Sequence, residues 1–102
     1  KIDSKIFKKM KDTSFLINTA RGKIVNEKHL IRALKTKQIQ GAGIDVYELE
    51  PIETKSQLLK LENVVLSPHI GSSTEETRSK MSDITVKNLI SGLEGKKLLY
   101  SV

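Results

Sequence analysis

Three short apolar runs spaced along the chain constrain its fold more than any other feature. They are Ser14-Phe15-Leu16-Ile17, the stretch through Ile44, Asp45 and Val46, and Val64-Val65-Leu66. The first is continuous rather than alternating, which reads as a strand buried on both faces of a parallel sheet. Between the first two runs, residues 26–37 place Leu30, Ile31 and Leu34 on one helical side. Strands alternating with helices imply parallel pairing through right-handed crossovers. The expected class is therefore α/β, and three strands amount to half of a doubly wound sheet.

The flanking segments fit the same order. Ile6, Phe7 and Met10 share one face of an opening helix that Asp3 or Ser4 can cap. Lys8, Lys9 and Lys11 follow near its C-terminus, where positive charge suits the helix dipole. Thr19-Ala20-Arg21-Gly22 breaks the first strand, and Gly41 and Gly43 surround the start of the second. A polar stretch from Glu48 to Lys60 is interrupted by Pro51. Pro68 favours an extended Ser67 before it. Ser73 with Glu76 three residues on matches a capping box, which predicts a helix from there to about Gly92. Met81, Ile84, Leu89, Ile90 and Leu93 give that helix a broad apolar face, and Lys96 to Val102 reads as a short extended tail.

Composition narrows the function classes. At 102 residues there is room for one domain at most, and with 4% aromatics its core must rest on Ile, Leu, Val and Ala. No run approaches the roughly 18 apolar residues of a membrane helix, and no basic-then-apolar stretch opens these residues, so no signal segment is expected. The absence of cysteine excludes a disulfide framework and a thiolate metal site. A soluble, cytoplasmic protein without a membrane partner is expected. The net charge of +6 is uneven: residues 1–40 hold 11 Lys/Arg against 3 Asp/Glu, whereas residues 41–102 hold 7 against 9. The lysines are interleaved with apolar residues, and no RNA-binding aromatic string or zinc pattern accompanies them. Solvated helix faces are expected, not nucleic-acid binding. Glu48, Glu50 and Glu53 do not read as a metal site, because Pro51 splits them and no histidine lies nearby in sequence.

An ordered trio stands out against this background: Arg21 in NTARG, Glu50 in DVYELEP and His69 in SPHIGSSTEET. Each lies just past a strand-like run, and reacting groups gather at the carboxyl ends of strands in open α/β sheets. Arg21 offers a planar, permanently charged fork suited to a carboxylate. His69 is the natural proton carrier near neutrality. Glu50, if bonded to one ring nitrogen, would fix the tautomer and stabilise the imidazolium. Alone, each would read as a surface ion-pair residue, a loop carboxylate or a helix-entry residue; the joint pattern marks a site. His29 lies in a helix without a partner motif and reads as solvent-facing.

The strings FLINTARGKIVNEKHLIRALKTKQIQGAGIDVYELEP and NVVLSPHIGSSTEETRSKM resemble the second half of the nucleotide-binding domain of D-isomer-specific 2-hydroxyacid dehydrogenases, in particular the glyoxylate/hydroxypyruvate reductase branch. The likeness covers essentially the whole chain, with 29 residues from Arg21 to Glu50 and 19 from Glu50 to His69. It implies the second half of a Rossmann-like doubly wound sheet. Residues 1–102 would form a partial NAD(P)-binding domain, with residues 73–102 as C-terminal helix and tail. It implies reduction of a small 2-oxo acid to a D-2-hydroxy acid with NAD or NADP. In that reaction Arg21 would bind the substrate, His69 act as acid/base, and Glu50 tune it. It places Thr19, Ala20, Arg21, Asp45, His69, Ile70 and Gly71 near the cofactor. At Gly71 the missing side chain would let backbone come close.

The glycine-rich dinucleotide turn and its ribose reader are absent from the chain. The resemblance therefore implies a C-terminal fragment of a chain about three times longer, inactive alone and homodimeric when complete. The choice between NAD and NADP, and the particular 2-hydroxy acid, would lie in the missing part. The strand of residues 14–18 would then present an unpaired apolar edge, so the isolated chain is expected to associate. A second reading is a non-catalytic, dinucleotide-sensing interaction protein of the corepressor kind on the same fold.

Overall fold

The computed structural model describes residues 1–101 and divides the chain into two compact units that meet in sequence at Gly71 and Ser72. The first unit holds α1 (Ser4–Phe7), β1 (Phe15–Asn18), α2 (Glu27–Lys35), β2 (Gly41–Ile44) and β3 (Val64–Leu66). Short 3₁₀ turns at Gly22–Ile24 and Gln57–Lys60 lie between them. The second unit holds α3 (Glu75–Leu93) and the residues after it.

Among the described residues the strands form one parallel sheet in the order β1-β2-β3. Register aligns Leu16 with Ala42, and Ile44 with both Asn18 and Leu66. Side chains alternate across a strand, so Leu16, Ala42, Ile44, Val64 and Leu66 share one face. That face meets Phe7 of α1 and Leu30, Ala33 and Leu34 of α2, with Val25, Ile39, Tyr47 and Leu58 completing the core. Truncating a fully buried member such as Phe7 or Leu34 would cost about 2–5 kcal/mol.

The opposite face corrects the expectation of a first strand buried on both sides. Phe15 and Ile17 are 60% and 67% exposed, and Val65 is 74% exposed. Their cross-strand neighbours are Gly41 and Gly43, which give them no side chain to pack against. A Cβ on Gly41 would meet the Phe15 ring at 2.9 Å, and one on Gly43 would meet Ile17 Cδ1 at 3.0 Å. The second strand also stops earlier than its apolar pattern suggests. Asp45 still donates its N–H to Asn18 O, at 3.0 Å, but Asp45 and Val46 lie just beyond the strand.

The helix ends account for their polar groups. In α1 Asp3 is the N-cap, its carboxylate accepting from the Lys5 and Ile6 amides. The Ser4 amide donates to His29 Nδ1 at 3.2 Å. His29 is therefore not simply solvent-facing: it is half-buried and anchors the start of the first helix from α2. In α2 the Asn26 side chain caps the His29 amide, and the helix ends two residues earlier than its periodicity suggests. Lys37 adopts φ 53°, in the left-handed region, while its amide and that of Gln38 donate to Leu34 O and Ala33 O.

In α3 the N-cap is Thr74, not Ser73. Its hydroxyl accepts from the Thr77 amide, while Ser73 accepts from Arg78 Nη2. The capping box predicted from Ser73 and Glu76 does not form, because Glu76 falls one position too early for a cap at Thr74. The helix ends at Leu93, with Gly95 at φ 66° beyond it. No residue of α3 is buried, so its apolar positions do not act as a core stripe. The Asn88 side chain accepts from the Leu99 and Tyr100 amides and donates to Tyr100 O, holding the tail as far as Tyr100. The expected end of that tail, Val102, lies outside the described residues. Among the described residues no helix is long and apolar enough to cross a membrane.

A left-handed conformation is costly for a residue with a Cβ and nearly free for glycine. Lys37→Gly is accordingly expected to raise stability by about 0.5–1 kcal/mol, after allowing for the greater freedom of glycine in the unfolded chain. Urea denaturation would check this, and an unchanged or lower midpoint would contradict it.

Candidate active site

Each strand of the first unit ends in a turn that carries one of the polar residues singled out above. After β1, Asn18 shapes the turn. It is 6% exposed, its Oδ1 accepts from the Ala20 amide, and its Nδ2 donates to Arg21 O at 3.1 Å. This side chain imitates a backbone turn and presents Arg21 to solvent. Arg21 Nη1 donates to Ala20 O at 2.7 Å, which leaves most of its donors free. Gly22 follows because nothing larger fits: a Cβ there would lie 1.8 Å from Tyr47 O.

After β2, Asp45 is 4% exposed and its carboxylate accepts three hydrogen bonds from the segment after β3. Ser67 Oγ donates to Oδ1 through a short bond, the Ile70 amide donates to Oδ1 at 2.9 Å, and the Gly71 amide donates to Oδ2 at 2.8 Å. The Ser67 bond, then the Ile70 and Gly71 amides and the nearby His69, hold its pKa below the usual carboxylate value against a smaller opposing effect of burial. A Cβ on Gly71 would come within 3.0 Å of Oδ2, so glycine permits this close wrap.

Asp45 thereby fixes the turn that carries His69, whose φ of 55° places it in the left-handed region. Its Nδ1 lies 2.7 Å from Glu50 Oε2. The Glu50 pKa is lowered first by this bond and next by the Tyr47 amide, which donates to Oε1 at 3.0 Å; Arg21 adds a smaller electrostatic contribution. An ionised carboxylate has no proton to give, so the proton sits on Nδ1 and the ring's Nε2 is left for chemistry. The pair is about half open to solvent. Arg21, Gly22, Lys23, Tyr47, Glu48, Glu50 and His69 line one opening. Behind the pair, Tyr47, Pro51, Ile52, Leu66 and Pro68 help line an apolar hollow of about 330 Å³.

The sequence-predicted residues therefore gather at one end of the sheet. Arg21, Glu50 and His69 share the opening, while Asp45, Ile70 and Gly71 form a second cluster beside it, with Thr19 Cβ 3.9 Å from the Cβ position of Gly71. Ala20 acts through its main chain. Glu48 is drawn instead into an ion pair with Lys1 at 2.6 Å. Among the described residues no group of three or more His, Asp or Glu could hold a metal. Asn18, Tyr47 and Ser67 went unrecognised in the sequence. Asn18 carried a local signal, a turn-forming side chain closing an apolar run; the other two act through contacts across strands.

A half-sheet of parallel strands with a carboxylate, an imidazole and a guanidinium at its carboxyl end defines part of a dinucleotide-binding α/β domain. Residues 1–71 match the family described as D-isomer specific 2-hydroxyacid dehydrogenase, NAD binding domain, and the chain belongs to that family. It is 52% identical over 89 residues to a glyoxylate reductase of Korarchaeum cryptofilum, covering 87% of this chain and 27% of that protein. Among solved structures, a glyoxylate reductase from Paecilomyes thermophila superposes with TM-score 0.86 at 42% identity, over 99% of this chain and 30% of that one. An NADPH-dependent glyoxylate/hydroxypyruvate reductase from Sinorhizobium meliloti, crystallised with NADP and malonate, gives TM-score 0.84 at 37% identity, over 99% and 31%. The chain thus spans about 30% of the length of these relatives.

The geometry carries two expectations. Gly22→Ala forces a methyl group into the Tyr47 carbonyl and is expected to cost about 3 kcal/mol or more, since the obstacle is backbone. A loss well under 1 kcal/mol in urea denaturation would show that the Arg21 turn yields freely. Asp45 provides a pH signature. Its pKa is lower folded than unfolded, so the folded chain binds fewer protons. The stability it contributes is complete above about pH 4 and is lost as pH falls through the lowered folded value. Asp45→Asn should therefore be less stable than the parent at pH 7, and the gap should close on acidification. A gap independent of pH would exclude this carboxylate as its source.

Proposed function

We propose that this chain is the catalytic half of the NAD(P)-binding domain of a longer reductase that converts a small 2-oxo acid, of the glyoxylate or hydroxypyruvate type, to a D-2-hydroxy acid. The observation that carries the reading is the 2.7 Å contact between His69 Nδ1 and Glu50 Oε2 in an opening that also holds Arg21. The glyoxylate and hydroxypyruvate reductases among its relatives favour this substrate class. The glycine-rich first half of the domain and the rest of the cleft would come from outside these residues.

The cluster at the strand ends fits a nicotinamide cofactor. Gly71 presents bare backbone, Ala20 and Ile70 are exposed beside it, and Asp45 retains acceptor capacity on Oδ2 beyond its three bonds. Thr19, Ala20, Arg21, Asp45, His69, Ile70 and Gly71 would lie along that group. When bound in its reduced form it supplies the hydride. Arg21 holds the substrate carboxylate through its planar fork and draws electron density from the keto oxygen. His69, protonated at Nε2, gives that proton to the same oxygen as the alcohol forms. Glu50 stabilises the charged ring and holds it in place through Nδ1. In the reverse direction the Nε2 lone pair takes the hydroxyl proton.

The test is to express the protein from its native gene, weigh it intact, and assay it with glyoxylate and hydroxypyruvate against NADH and NADPH. Turnover is expected from a product longer than this chain. His69→Ala should lower kcat by about 10²–10⁴-fold, the usual range for a lost general acid. Arg21→Lys should act mainly on KM by replacing the fork with a point charge. Full activity in the His69 variant would sink the assignment.

A further inference from the structure

Tyr47 grips both sides of the Glu50–His69 pair. Its ring belongs to the core and is 7% exposed. Its hydroxyl donates to Ser67 O at 2.8 Å, with Ile44 O further away at 3.3 Å and already accepting from the Ser67 amide. Its own amide donates to Glu50 Oε1 at 3.0 Å, which leaves Oε2 to His69.

The consequence follows from chain geometry. Beyond Ile44 the second strand turns away, so the phenol takes the place of a ladder donor at the Ser67 carbonyl. That carbonyl belongs to the peptide joining Ser67 to Pro68, and holding it sets the plane of the peptide. Proline fixes the next φ, so on the backbone only Pro68 ψ and the φ of His69 remain before the side-chain torsions that carry the imidazole. Ser67 is also held through its amide by Ile44 O and through its hydroxyl by Asp45. Only the Tyr47 bond acts on the carbonyl side from which the histidine leaves.

We infer that Tyr47 is a positioning residue for the reductase site, resting on the function proposed above: its hydroxyl aims His69 and its amide presents Glu50. It touches no reacting atom. Substitution by phenylalanine removes only the hydroxyl, keeping the buried ring and the amide.

The test is the histidine tautomer, read by nitrogen-detected NMR on the ¹⁵N-labelled 102-residue chain above the pH at which imidazoles titrate. The two histidines of the chain are opposite controls. His29 Nδ1 accepts from the Ser4 amide and requires the Nε2–H form; His69 Nδ1 donates to Glu50 and requires the Nδ1–H form. In Tyr47→Phe the His29 signals and the melting temperature should stay near those of the parent. The His69 signals should move from the single Nδ1–H form to an averaged mixture. Unchanged His69 signals in a folded variant would overturn the inference.

If the variant does not fold, the parent chain decides. A slowly exchanging Tyr47 hydroxyl proton coupled to the Ser67 carbonyl carbon supports the role, and a freely exchanging one refutes it. Failure of the reductase reading would appear separately, as a full-length product without turnover.

Discussion

A buried carboxylate that accepts from three donors on another segment is the interaction on which the rest of the site depends. Asp45 lies just past the central strand and draws Ser67, Ile70 and Gly71 around itself. A charge this enclosed would be unfavourable without such donors. With them, it converts the end of β3 from a free loop into a fixed turn. His69 then sits in a left-handed conformation that the turn holds, and Glu50 meets it from the loop after β2. Local strain at His69 is thus held by charge-assisted hydrogen bonds within two residues on either side of it.

Glycine placement supports the same geometry by subtraction. At Gly22 the chain carrying Arg21 passes against the Tyr47 carbonyl with no room for a methyl group. At Gly71 the backbone folds onto Asp45 at a distance that a side chain would crowd. Both are close approaches between segments remote in sequence, and both bring a polar residue into reach of its partners.

The parallel class, the three strands and the trio were legible because each rests on local pattern: short apolar runs, an amphipathic stretch, and chemistry at the strand ends. Family likeness then joined Arg21, Glu50 and His69, which no single residue could do. What escaped was set by contacts across segments. The burial of Phe15 and Ile17 was overestimated, because the pattern reports what a strand can bury and not whether a layer is present to bury it. The cap of α3 moved from Ser73 to Thr74, where two neighbouring hydroxyls compete and the sequence cannot choose. His29 found a partner, the Ser4 amide, 25 residues away. Tyr47 and Ser67 lie inside the strings DVYELEP and SPHIGSSTEET, but a phenol meeting a carbonyl across two strand ends leaves no trace in spacing.

The pairing order of the sheet has a kinetic consequence. Phe15 pairs with Gly41 and Ala42 with Val64, so each parallel contact closes a loop of more than twenty residues before any ladder bond rewards it. Arg21, Glu50 and His69 are delivered by three different strands, so neither crossover alone brings them together. A chain with only one loop closed holds two of the three groups and no shared opening. The site therefore exists only when both loops are closed, and opening of either crossover is enough to remove it.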